Sequence, residues 1–140
     1  NMSRKTIAAM ATCAGMLCAA MPASAHHSFS SVFDTNKPVE VHGVRAVVRL
    51  ENPHSWFYVD VTDPTGKVVR WGFEGSTPTS LLRSGYKPSA LKVGDEVTVK
   101  GSRARDASRN EGAARSITLK DGRSFVVGPL GTEDGPAANQ

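Results

Sequence analysis

The chain contains four histidines, all in its first half: His26, His27, His42 and His54. If the chain is cleaved after Ala25, His26 gains a free amine beside two imidazoles. An amine has a pKa of about 8 and an imidazole of about 6.5, so both can lose a proton near neutral pH and bind metal. Flat, nitrogen-rich ligand sets favour Cu(II), with Ni(II) and Zn(II) behind. The pattern predicts a copper site at the new amino terminus, formed by His26 and His27.

The other two histidines differ in their surroundings. His54 follows Asn52-Pro53 in a predicted turn, at the start of a strand, so it is the candidate third ligand in a site of the histidine-brace type. The alternative is a turn residue whose ring donates a hydrogen bond to a backbone carbonyl. His42 alternates with core residues, and we expect it at the surface. A metalloenzyme would also need an open coordination position on the metal.

Two aromatic residues are expected on one outward face of a strand. Trp56 and Tyr58 alternate with Phe57 and Val59, which are expected in the core. Such a pair can stack a sugar, a base or a peptide, so Trp56 and Tyr58 are the candidate ligand-binding residues. The alternative is that the amino-terminal arm or a helix covers both rings, because large apolar side chains tend to be buried.

Enzyme chemistry has little support in the sequence. Both cysteines precede residue 19, and there is no Gly-x-Ser-x-Gly elbow, no Gly-rich phosphate loop and no His-Glu-x-x-His. We therefore predict no catalytic residue. The segment 101–110 contains three arginines, but Asp106 and the nearby Glu111 offset them, which favours a solvated loop over a nucleic-acid surface.

Residues 1–25 have the pattern of a secretory signal peptide. A basic start at Arg4-Lys5 leads into an apolar stretch that ends in Ala23-Ser24-Ala25. A membrane anchor is less favoured, because the apolar run is shorter than the roughly 20 residues that span a bilayer. Cleavage would remove both cysteines and two of the charges in the net +4. The expected location is the periplasm, with no strong charge for nucleic acid or anionic membrane to attract.

The rest of the chain has mostly strand periodicity. An arm is predicted over 26–37, and from Pro38 apolar residues alternate until their parity changes at Gly43, which indicates a β-bulge. The strands 55–62 and 67–74 flank the turn 63–66 and should form a hairpin.

A change of period then indicates a short helix, with Ser76 or Thr77 as cap and Gly85 at its end. Further strands are predicted over 96–101, 114–120 and 124–127, and a disordered tail over 128–140. The order favours a mainly β domain over 38–127, a five- or six-stranded OB-like barrel with one short helix. A β-sandwich is the alternative.

Several segments together resemble a known family. They are His26-His27-Ser28-Phe29, Phe33-Asp34 with Asn36-Lys37-Pro38, and the segments 51–56, 80–86 and 91–101. The sequence is similar to domain-of-unknown-function family 6152, a family of small exported bacterial proteins, over His26 to about Val127. The resemblance implies an exported, all-β domain and no activity. The leading hypothesis is a non-enzymatic copper-binding protein. The second is a module that binds a periplasmic protein or small ligand.

Overall fold

The computed structural model describes residues 28–128. The predicted signal peptide, both amino-terminal histidines His26 and His27, and residues 129–140 of the predicted tail lie outside this part of the chain.

The described residues form six strands and two short α-helices. The helices are α1 (Ser28–Val32) and α2 (Pro78–Arg83), and a 3-10 turn follows at Pro88–Ala90. The strands are β1 (Phe33–Arg49), β2 (Ser55–Thr62), β3 (Val68–Gly75), β4 (Glu96–Ala104), β5 (Glu111–Leu119) and β6 (Ser124–Val126).

Five of the strands close into a ring. β1 pairs with β2 on one side and β4 on the other, β2 pairs with β3, and β4 pairs with β5. Parallel pairing of β3 with β5 closes the ring, and β6 adds to the far side of β5. This confirms the predicted mainly β, OB-like architecture with a short helix, α2, between β3 and β4. The sandwich alternative is wrong, since all six strands belong to one sheet.

The predicted bulge in β1 lies at a different residue. Pairing with β4 shifts between Asp34 and Pro38 and then runs without a shift through Gly43. The shift against β2 lies at Ala46, between Arg45 and Val47. Arg45 lies opposite the buried Val59, and its Nη1 donates a hydrogen bond to the Ala46 carbonyl at 3.3 Å. In the sequence-based prediction the charged Arg45 faces outward, and this put the change of parity, and with it the bulge, at Gly43.

Gly43 has a different role, which is close approach of two strands. A Cβ there would lie 2.4 Å from the Asp60 carbonyl oxygen and 2.7 Å from Val59 Cγ1. The next residue, Val44, pairs with Asp60 of β2 and with Glu96 of β4. β1 thus passes from one neighbour to the other at this point.

The described residues of the predicted arm belong to α1 and to the start of β1. β1 already begins at Phe33, whose partner is Ala104 of β4. The Phe33 ring lies 5.2 Å from that of Phe29 in α1, and both pack with Ala104 and Ala113. The apolar residues of the predicted arm therefore form a small second cluster beside β4 and β5.

The main core fills the ring and is closed at one end by the segment after β3. Thr77 caps α2 by accepting a hydrogen bond from Ser80 N–H, and Leu81 is buried. The Tyr86 ring meets those of Phe57 and Phe125 edge-on at 5.7 and 5.8 Å. Its burial raises the pKa of the Tyr86 hydroxyl. The helix and Tyr86 thus seal the apolar interior by ordinary side-chain packing.

Neither α-helix within residues 28–128 has the length and apolar character needed to cross a bilayer.

Two strand glycines give a matched test of the strand crossing. Gly43→Ala puts a methyl group against backbone atoms, whereas Gly72→Ala meets the edge of the Tyr58 ring at 3.2 Å, which can move. We expect Gly43→Ala to lower the free energy of unfolding by about 1–3 kcal/mol, as overpacking does. Gly72→Ala should change it by less than about 1 kcal/mol, because alanine also reduces backbone entropy in the unfolded chain. Urea unfolding measures both, and equal midpoints would contradict the close approach at Gly43.

Candidate functional site

Two aromatic rings lie side by side on the outer surface of β2. The centroids of Trp56 and Tyr58 are 6.3 Å apart and their planes differ by 22°. Both side chains are only half-buried, whereas Phe57 and Val59, which alternate with them, are almost fully buried. Because successive side chains of a strand point to opposite faces, packing of the inner pair presents the outer pair to solvent.

The neighbouring strand leaves space beside this pair. Gly72 of β3 lies directly opposite Tyr58, and a Cβ there would approach Tyr58 Cε1 to 3.2 Å and Trp56 Cζ3 to 3.7 Å. The Tyr58 ring therefore extends over the backbone of β3 at a residue without a side chain. We call the two rings and the glycine beside them the aromatic platform (Trp56, Tyr58, Gly72).

β1 contributes a cation and an apolar side chain to the other border of the platform. Arg49 lies opposite Trp56, and its guanidinium carbon is 5.8 Å from the centroid of the Tyr58 ring. This distance is within the range of a cation–π interaction. Val47 lies opposite Tyr58 and is 37% exposed. The platform thus continues onto β1 as a partly apolar surface.

A cleft adjoins the platform on the side of β5. Parallel pairing places Glu111 beside Gly72, and the loop 105–110 follows β4 at the same edge. The cleft has a volume of about 270 Å³ and is lined by Tyr58, Arg70, Gly72, Arg109, Asn110 and Glu111. In OB-type folds, ligands bind on the face of strands 2 and 3 between the β1–β2 and β4–β5 loops, which is the position of this cleft and platform.

The charged side chains around the cleft are paired with each other. Arg70 donates to both oxygens of Asp60, at 2.8 and 3.1 Å. The hydrogen bond from Arg70 lowers the pKa of the Asp60 carboxyl. Arg109 lies 3.4 Å from Glu111. The cleft is therefore bordered by ion pairs and has little net charge.

His54 lies at the other end of the platform, two residues before Trp56 in the chain. Its Nδ1 is 3.1 Å from Oε1 of Glu74, the residue opposite Trp56 on β3. Burial raises the pKa of the Glu74 carboxyl, His54 opposes this effect, and the charge of Glu111 adds to it. His54 is half-exposed and contacts a carboxylate, so the structure pairs it with an acidic side chain rather than with the backbone carbonyl that the turn alternative required.

The structure does not place Phe29 and Phe33 over the platform. Both rings pack against Ala104 and Ala113 in the second cluster. Leu81 of α2 packs into the main core.

Of the histidines predicted to bind metal, His54 lies in the described part of the chain, and His26 and His27 lie outside it. His42 is exposed on β1, where its Nε2 lies 3.1 Å from Glu40 and its Nδ1 2.8 Å from the Thr98 hydroxyl. Between residues 28 and 128, no group of three or more His, Cys, Asp and Glu side chains could hold a metal ion. His54 with Glu74 would need further ligands from outside that range, where His26 and His27 lie.

A second cleft lies where β1 crosses between its neighbours. It has a volume of about 390 Å³, and its lining includes His42, Val44, Asp60, Glu96 and Lys120. Lys120 contacts Glu96 at 2.8 Å. This cleft contains no aromatic side chain, so it offers no stacking surface comparable to the platform.

Several residues of the site were missed from the sequence. Gly72 and Glu74 could have been found by extending the predicted hairpin register outward from the turn 63–66, since each lies opposite an outward residue of β2. Glu111 reaches the platform only through the parallel pairing of β3 with β5, which no local pattern reveals.

Comparison with known proteins places the chain in one family. No curated protein and no solved structure matches the sequence. A family model described as a family of unknown function (DUF6152) matches residues 13–114, most of the chain. The matched range includes the platform, the loops on both sides of it and His54. The chain therefore belongs to this family of unknown function, DUF6152.

Proposed function

We propose that this protein is an exported, non-enzymatic binding module that takes a small ligand or a protein partner on the outer face of β2 and β3. The observation that carries the proposal is the half-buried Trp56–Tyr58 pair, stacked at 6.3 Å beside a cleft. Aromatic side chains in this position supply contact area with few rotatable bonds, and each stacked group contributes about 1–3 kcal/mol in nucleic-acid complexes.

A purely structural role accounts for only part of this arrangement. The Tyr58 ring shields the backbone at Gly72, which is a packing function. Trp56 has a smaller part in this shielding, with its Cζ3 3.7 Å from the position of a Cβ at Gly72, and its neighbours across the strands are the charged residues Arg49 and Glu74. A tryptophan between two charged side chains on an outer sheet face is typical of recognition, where an apolar surface and polar groups are needed together.

The platform can be tested with its own tryptophan. The chain has two tryptophans, Trp56 and Trp71, so Trp71→Phe leaves Trp56 as the sole emitter. We expect periplasmic extract to change the Trp56 emission of this variant. On an immobilised domain, Trp56→Ala should reduce retention of the bound species about tenfold, as loss of one stacked ring does.

The matched control for this test is Leu82→Ala, which truncates another exposed apolar residue, 59% exposed and located in α2. It should retain as much as the unmodified domain, and circular dichroism should show both variants folded. Equal retention by the Trp56→Ala and Leu82→Ala variants would overturn the proposal.

A second candidate function, copper binding through His26, His27 and His54, is favoured by one contact. With His54 Nδ1 3.1 Å from Glu74, Nε2 remains for a metal. Metal-binding histidines commonly donate their other ring N–H to a carboxylate, which sets the tautomer and the ring orientation.

Chain length is compatible with this second candidate. Phe29 packs in the cluster that includes Ala113, and Ala113 lies opposite Glu74 on the adjacent strand. Two residues, His27 and Ser28, separate His26 from Phe29, and an extended chain spans at most about 3.6 Å per residue. In this proposal the short segment brings His26 toward the His54–Glu74 pair, where its amine and imidazole would add nitrogen ligands.

Copper titration of protein with a cleaved terminus at His26 tests this candidate. We expect one Cu(II) to bind, with loss of the site in His26→Ala or after acetylation of the amine. Glu74→Gln should weaken binding about 10–100-fold, as loss of an outer-shell partner does. His42→Ala is the control and should have no effect, since His42 contacts Glu40 and Thr98 instead. An affinity equal to that of a free His-His peptide would refute the proposal.

A further inference from the structure

We infer that the ligand class of the aromatic platform is an uncharged saccharide. This inference rests on the proposed binding function of the same face and specifies its substrate. Three features of the platform and its border carry it: the shape of the aromatic surface, the balance of charge around it, and the kind of polar groups that border it.

The shape of the platform fits a ring with an apolar face. The rings of Trp56 and Tyr58 are nearly parallel, with planes 22° apart and centroids separated by 6.3 Å, and Gly72 adds no side chain beside them. A pyranose ring has C–H groups on its faces and hydroxyl groups at its edge. The negative face of an aromatic ring attracts such C–H groups, and contact removes apolar surface of both partners from water. Adjacent rings allow two sugar units of one chain to stack in sequence.

The balance of charge argues against a phosphate-containing ligand. The border contains as many carboxylates as guanidinium groups: Asp60, Glu74 and Glu111 against Arg49, Arg70 and Arg109. Nucleic-acid affinity depends on Lys and Arg side chains that neutralise phosphates. Here Arg70 and Arg109 already contact Asp60 and Glu111, and Arg49 lies over the Tyr58 ring. A phosphate would have to break these contacts and approach the carboxylates.

The same paired groups suit hydroxyl groups. In the Asp60–Arg70 pair the carboxylate and the guanidinium are held in one plane by two hydrogen bonds, so their remaining donor and acceptor positions point in defined directions. A hydroxyl both donates and accepts, and it can bond to such a pair without changing the net charge. Asn110 adds an amide to the same cleft. The cleft, with a volume of about 270 Å³, lies beside Tyr58. The polar groups of the cleft would therefore border the edge of a sugar ring stacked on Tyr58.

Binding of defined oligosaccharides tests the inference. The probes are soluble oligomers of β-1,4-linked N-acetylglucosamine, β-1,4-linked glucose and α-1,4-linked glucose, with oligo(dT) as the phosphate-bearing comparison. Titration is followed by Trp56 emission in Trp71→Phe and by calorimetry on the unmodified domain. We expect at least one saccharide to bind, with affinity nearly constant between about 50 and 200 mM salt, since no counterions are released.

Three variants locate the site. Trp56→Ala should weaken saccharide binding about tenfold or more, and Trp56→Phe should restore part of it by keeping a flat ring. Asp60→Asn should weaken binding while the platform remains, because it removes the charged partner of Arg70. Leu82→Ala should bind as the unmodified domain does.

The outcomes separate this inference from the proposed function. If oligo(dT) binds with steep salt dependence and no saccharide binds, the ligand class is wrong, but the binding face stands. If no saccharide binds while Trp56→Ala still abolishes retention from periplasmic extract, the saccharide inference is overturned and the proposed function survives. If Trp56→Ala changes neither measurement, both fail.

Discussion

The close approach of β1 to β2 at Gly43 is the constraint on which the rest of the structure depends. A single strand must pair with β4 along its first part and with β2 along its last part, and Val44 belongs to both ladders. There is no room for a side chain at Gly43, where a Cβ would lie 2.4 Å from the Asp60 carbonyl oxygen. The ring of strands closes because the chain can bend at this point without losing its hydrogen-bond partners on either side.

Closure of the ring then decides which residues meet on the outer surface. Inside, Phe57 and Val59 pack into the core, and strand alternation turns Trp56 and Tyr58 outward. Outside, β5 joins β3 in parallel and brings Glu111 beside Gly72. The same core packing that stabilises the barrel therefore turns two aromatic rings outward between two loops. Their outward direction follows from the alternation of side chains along β2. The residues that surround them follow from the order in which the strands pair.

Prediction from the sequence succeeded where neighbouring segments alone determine the outcome. The β2–β3 hairpin follows from the turn 63–66 and two runs of alternating residues, and α2 follows from its Thr77 cap and its Pro78. Prediction failed where a contact with a residue on another strand sets the local structure. The bulge lies at Ala46 because Arg45 faces the buried Val59, although a charged residue is expected to face solvent. The cluster of Phe29 and Phe33 depends on Ala104 and Ala113, far along the chain.

The mainly β architecture and the outward face shared by Trp56 and Tyr58 could be predicted from the sequence. So could the family resemblance, which rests on the His-His-Ser-Phe and Asn-Pro-His segments. These are local properties, set by side-chain periodicity and turn residues within a few positions. Other features of the site are seen only in the folded chain. Glu74 contacts His54, Gly72 leaves space beside Trp56 and Tyr58, and arginines pair with carboxylates around the cleft. These contacts join different strands, and the register between strands is a property of the whole closed sheet.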